Sequence, residues 1–225
     1  MNYNFFLNPE INKKTDFFSL NHLNDFFLVC FFSIFSFVVL VIPLNFIFNN
    51  FLKEFYQNLS NISSRQIQDS FFYSVCFIPF AEELQFRLPI DFKFDNIKIS
   101  LSVFISRFFI SLPMVSFVKS ENEIFNFFIF LIIWVIILFL IIKLSQKVIW
   151  NFKIPLIFSF YLFNFVFAIL HLLNFVDLKF ENSAIYCLFF LIHFIDSCLI
   201  GYLRCKYGFG SGLLFHVLKN LIAFI

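Results

Sequence analysis

The chain has 225 residues, of which 61% are hydrophobic and 13% charged, and its mean hydropathy is +0.90. Soluble domains carry about twice that share of charge, so a water-solvated surface is excluded and the chain reads as an integral membrane protein whose first partner is a lipid bilayer. The net charge of +2 leaves no footprint for nucleic acid, and none is expected as a partner.

Residues 1–24 are polar and mixed, and form an expected cytoplasmic or interfacial arm ahead of a transmembrane domain over 25–225. Phe26 to Phe48 is an uncharged run of about the 20 residues that span a bilayer. It is too long for a signal-peptide core and lacks a small-residue cleavage site. Asn49 to Asp69 is a polar loop or surface helix. Ser70 to Leu88 is a second span carrying Glu82, Glu83 and Arg87, closed by Pro89 and the charged stretch Asp91 to Asp95. Ile97 to Val118, with Arg107 inside it, is the third span, and Glu121 and Glu123 follow in a turn. Ile124 to Leu144 is the fourth and cleanest. Pro155 to Val176 contains His171, Ser183 to Leu203 contains His193 and Asp196, and Gly212 to Ile225 contains His216 and Asn220. The expected fold is all-α, a polytopic transmembrane helix bundle of about seven spans.

Basic residues orient the bundle. Lys13, Lys14, Lys93, Lys98, Lys143, Lys147, Lys153, Arg204 and Lys206 fall on one side, and Lys53, Arg65, Lys119 and Lys179 on the other. The N terminus is therefore expected in the cytoplasm. Cys30, Cys76, Cys187, Cys198 and Cys205 form no CxxC pair and lie in or beside apolar runs, so they read as small hydrophobes of membrane helices.

An ionisable side chain at membrane depth costs about 2.5–3.5 kcal/mol, so those inside the spans carry information. Glu83 and Arg87 are four apart and can pair along a helix face. Glu82 is turned about 100° from Glu83 and is left free of that pair. A buried carboxylate beside another one suits a general base; an interfacial, charged helix end is the plainer alternative. His216 and Asn220, again four apart, can donate from one face toward charge on a carbonyl oxygen, or simply bond between helices. Phe167 precedes His171 by four, but so do Phe18 and Phe189 their histidines, His22 and His193. With 44 phenylalanines in the chain, that spacing alone says little.

Glu82-Glu83-x-x-x-Arg87, Phe167-x-x-x-His171 and His216-x-x-x-Asn220, in this order on separate helices, resemble the motifs of the CAAX-protease and bacteriocin-processing (CPBP) family of intramembrane endopeptidases. Pro79-Phe80-Ala81 before the first motif is similar to that family's approach to it. So is Gly201-Tyr202-Leu203-Arg204 with Tyr207-Gly208 before the last. The likeness covers roughly residues 75–225. The chain departs from the pattern in the roughly 80 residues between Arg87 and Phe167, room for an extra hairpin, and in offering Phe189-x-x-x-His193 as a second version of the middle motif.

The resemblance implies glutamate-dependent hydrolysis of a peptide bond in a membrane-associated, CAAX-like or bacteriocin-like substrate. Glu82 and His171 would activate water, His216 and Asn220 would stabilise the oxyanion, and Glu83 and Arg87 would support them. No cofactor is implied. A zinc protease using Glu82, Glu83, His171 and His216 is the rival enzyme, although HExxH is absent. A non-catalytic immunity or scaffold protein, or a small transporter, is the rival class. The expected location is a bacterial inner membrane.

Overall fold

The structure is a computed structural model that describes residues 4–7, 9, 19–47, 71–111, 123–147, 154–172 and 183–224. Several expectations lie outside the described residues: the Asn49 to Asp69 connection, the far ends of the third and fifth spans, and Lys13, Lys14, Lys53, Arg65, Lys119, Lys153 and Lys179. Every described element is helical. A short α1 (Asn4–Leu7) precedes α2 (Leu20–Ile47). A composite segment follows, in which α3 (Ile78–Glu82) lies between two π turns, Tyr73–Phe77 and Glu83–Arg87, and ends in a 3-10 turn, Leu88–Asp91. Then come α4 (Phe94–Ser111), α5 (Glu123–Leu144), α6 (Leu156–Leu172), α7 (Ser183–Tyr207) and α8 (Phe209–Phe224). By length and composition, Leu20–Leu40 and Tyr186–Tyr207 are sufficient to cross a bilayer, and Phe128–Leu144, Leu156–Leu172 and Phe209–Ile222 are shorter apolar helices.

The described start of the N-terminal arm, Asn4–Leu7, packs more deeply than the arm's polar composition suggests. Phe5 is buried, edge-on to Phe160 and Tyr202 at centroid distances of 5.6 and 4.9 Å, and the Tyr161 hydroxyl donates to the Phe6 carbonyl at 2.5 Å. Two adjacent aromatics are enough to draw the arm in. The helix of the first span also starts early, at Leu20. The Ser19 hydroxyl accepts from the His22 amide at 3.2 Å, the bond of an N-cap. Asp25, buried, accepts from Tyr202 and Lys206 at 2.5 Å each and from Tyr207 at 2.8 Å, and His22 bonds the Ser211 hydroxyl at 2.6 Å. The polar residues of this border thus fasten α2 to the α7–α8 junction.

The π turns have local causes. Pro79 has no amide hydrogen and sits in the first turn of α3, where the preceding π turn absorbs the missing bond. At the other end the Leu88 amide reaches back to the Glu83 carbonyl, five residues before it. Pro89 then tightens the chain into the 3-10 turn, and Phe92 reverses it at φ 51°.

Packing around α3 fixes the site. Phe77, Ala81, Val103 and Phe130 make one core against α4 and α5, with Phe77 edge-on to Phe130 at 4.8 Å. The Ser100 hydroxyl donates to the Gln85 carbonyl at 2.5 Å, and the Trp134 indole donates to Ser102 at 2.7 Å. A larger core joins Val29, Ile90, Phe160, Ile200, Tyr202, Leu203 and Phe215. Within it α6 and α7 approach closely: a Cβ on Gly201 would lie 2.9 Å from the Phe160 ring. Gly208, at φ 93°, closes α7 with its amide on the Arg204 carbonyl at 2.8 Å and turns the chain into α8. All five cysteines are free.

Asp91 ties the 3-10 turn to α4. It pairs with Lys93 at 2.9 Å and accepts from the Asn96 amide at 2.7 Å. Partial burial acts to raise its carboxyl, yet the Lys93 and Asn96 hydrogen bonds hold it below the ordinary carboxylate value. Its stabilisation is therefore complete above about pH 4 and is lost as pH falls through the lowered value. Asp91→Asn should lower stability at neutral pH by about 1 kcal/mol, and thermal unfolding in strong acid should no longer separate it from the parent.

Candidate functional site

Three helical segments meet at a buried cluster. The composite segment supplies Glu82, Glu83 and Arg87; α6 supplies Phe167 and His171; α8 supplies His216. The His216 ring stands against both carboxylates, with Nδ1 at 3.0 Å from Glu83 Oε1 and Nε2 at 3.5 Å from Glu82 Oε2. Carboxylates only accept, so Nδ1–H donates to Glu83 and holds the ring plane. The opposite edge of the ring, Nε2, faces Glu82, so one imidazole touches both carboxylates.

The glutamates are not equivalent. Glu83 has no exposed surface, whereas Glu82 keeps 9%. Glu83 pairs with Arg87 at 3.9 Å, and the Arg87 guanidinium lies 4.3 Å from the Phe167 ring centre, a cation–π contact. Arg87 is fully buried, and among the described residues none of its guanidinium nitrogens reaches a hydrogen-bond acceptor. Glu82 turns the other way, toward Arg107 of α4, whose Nη2 is 3.8 Å from Glu82 Oε1. Glu83 meets the His216 ring from α8. Gly212, one turn before His216, keeps this contact open: a Cβ there would lie 3.3 Å from Glu83 Oε2.

His171 donates Nδ1–H to the Phe167 carbonyl at 2.9 Å, which leaves Nε2 as the basic nitrogen of the neutral ring. It packs on the Phe167 ring at 4.1 Å and stacks on His193 at 4.4 Å. The two Phe-x-x-x-His versions are thus joined, because α6 and α7 bring both rings face to face. Asp196 does not hold His193, as its place on the same helix suggests; it accepts from Ser33 at 2.5 Å and from Lys219. Asn220 is one turn beyond His216, but its amide donates to the Ser74 carbonyl at 3.0 Å. That bond takes one of two amide hydrogens, so a joint His216–Asn220 donor pair retains only part of the capacity expected of it.

Sequence reasoning treated Arg107 as a charge within a span and passed over Gln85, whose Oε1 accepts from Arg107 Nη1 at 3.2 Å. The usable signal was the scarcity of arginine in apolar runs. Among the described residues, no three His, Cys, Asp or Glu side chains are grouped to hold a metal ion. The chain matches no family model, no curated protein and no solved structure.

Proposed function

We propose that the chain is an intramembrane endopeptidase of the CPBP type, in a bacterial inner membrane with its N terminus in the cytoplasm. The observation that carries this reading is the His216 ring set between Glu82 and Glu83 from a helix distant in sequence. The membrane is supported by the exposed apolar faces of two helices. Phe27, Phe31 and Ile34 of α2 and Ile132, Val135 and Phe139 of α5 are all more than half exposed. Water would not tolerate two such stripes, whereas lipid needs them, and about seven spans is the span count proposed.

In this reading Glu82, the less buried carboxylate, removes a proton from water as the oxygen bonds to the scissile carbonyl carbon. It returns that proton to the departing amine nitrogen as the C–N bond breaks. His171, with Nε2 unprotonated, assists at Glu82. His216, through its Nε2 edge rather than the Glu83-bonded Nδ1, and the remaining Asn220 N–H face the developing oxyanion. Glu83 and Arg87 orient His216 and balance the charge. The substrate is a membrane-associated peptide, CAAX-like or bacteriocin-like.

A non-catalytic scaffold is the second reading, favoured by one observation: His216 and Asn220 already bond within the protein, as helix-joining residues would. Purified protein in detergent, offered a peptide library with and without a strong chelator, separates the readings. Cleavage that survives chelation is the expected result. Activity lost to chelator and restored by zinc would make it a metalloprotease, and no cleavage of any peptide would favour the scaffold.

A further inference from the structure

Two of the basic side chains at this cluster are sealed. Arg87 has no exposed side-chain surface and His216 only 6%. Lys219, near them on α8, is bound to Asp196. Arg107 differs: its side chain is 38% exposed. Its Nη1 donates to Gln85 Oε1, and its Nη2 stands 3.8 Å from Glu82 Oε1, an ion-pair separation too long for a hydrogen bond. A guanidinium has five donors, and among the described residues the bond to Gln85 is the one hydrogen bond that draws on this one. It sits inside an apolar helix beside the carboxylate proposed as general base.

We propose that Arg107 is a substrate-binding residue that takes a carboxylate of the peptide, and so selects acidic or carboxyl-terminal substrates. The inference rests on the endopeptidase reading for the word substrate, but its geometry is that of a binding subsite. A guanidinium fork matches a carboxylate with two parallel hydrogen bonds, which the single long contact to Glu82 does not provide. Gln85 holds one edge of the fork in place while the exposed edge receives the ligand. Once a substrate carboxylate shares the positive charge, Arg107 draws less on Glu82, which becomes the better proton acceptor. A peptide without a carboxylate leaves Arg107 on Glu82. Ligand binding and release of the base are thus one event.

The carboxylate has two sources, a free C terminus or an Asp or Glu side chain. The test uses one apolar, fluorescein-labelled peptide in four versions: C-terminal acid, C-terminal amide, and the amide with an internal Asp or Asn. Binding to the full chain in detergent is read by anisotropy for the parent, Arg107→Gln and Arg107→Lys. The parent should bind one carboxylate version about tenfold more tightly than its neutral twin, and the pair showing the gap names the source. Arg107→Gln should close that gap to within about twofold, with thermal unfolding of the same preparation reporting its folding. Arg107→Lys, a charge without the fork, should keep part of the gap. A parent that binds all four alike overturns the subsite, as does either variant keeping the full gap. Cleavage of the same peptides separates this from the endopeptidase reading. Selective binding with no cleavage sinks the endopeptidase and leaves the subsite, and cleavage with no selectivity does the reverse.

Discussion

Glu82→Gln should abolish peptide cleavage while the protein still inserts and purifies as the parent does. The amide has the shape of the carboxylate but cannot take the proton of water, and loss of a general base removes about 10²–10⁴ in rate. Position makes Glu82 the sensitive member of its pair. It keeps some exposed surface, faces His216 Nε2 at 3.5 Å and Arg107 at 3.8 Å, and is not the carboxylate that holds Arg87. Its removal should therefore cost little stability. The measurement is kcat on the best library peptide, with thermal unfolding of the same preparation as control. Full activity in Glu82→Gln would end the catalytic assignment and make the scaffold the better account.

The opposite pattern is expected at Glu83. Glu83→Gln removes the only carboxylate paired with Arg87 among the described residues, and that guanidinium is fully buried with no hydrogen-bond acceptor there. Breaking a buried pair from one side costs about 3–5 kcal/mol. His216 also loses the charged acceptor of its Nδ1–H, so activity falls with stability. Replacing both partners, Glu83→Gln with Arg87→Met, should recover much of the stability because no orphaned charge remains. Activity should stay low, since His216 is still without its anion. Denaturation of the parent, the two single variants and the double variant gives the coupling directly. Additive losses would show that Glu83 and Arg87 do not act as a pair.

The helical class was legible because apolar runs of membrane length need only composition and spacing to be read. Glu82, Glu83 and Arg87 stood out for the same reason, as charges where charge is expensive. The Glu83–Arg87 pair followed from their spacing and forms at 3.9 Å, but the way the histidines meet was not legible. Spacing put His171 and His193 forward as competitors, yet they stack, because the approach of α6 to α7 depends on small residues such as Gly201 under Phe160. A run of nineteen mostly apolar residues ending at Leu88 reads as one regular helix. The two π turns within it depend on where Pro79 and Pro89 leave carbonyls without amide donors, which hydropathy does not register. The depth of Phe5 escaped for a similar reason, since two aromatics in a polar stretch scarcely move an average.

The bond between Glu83 and His216 joins positions 133 residues apart. During synthesis the carboxylates of the composite segment are therefore made long before the helix that brings His216 to them. At about 5–20 residues per second, the wait is on the order of ten seconds. Throughout it, a segment bearing two glutamates and an arginine has Arg87 and Arg107 as its nearby counter-charges, and the imidazole has yet to emerge. A helix made late thus supplies the partner of a carboxylate made early, and a nascent chain stalled before α8 would hold Glu83 without its His216 bond.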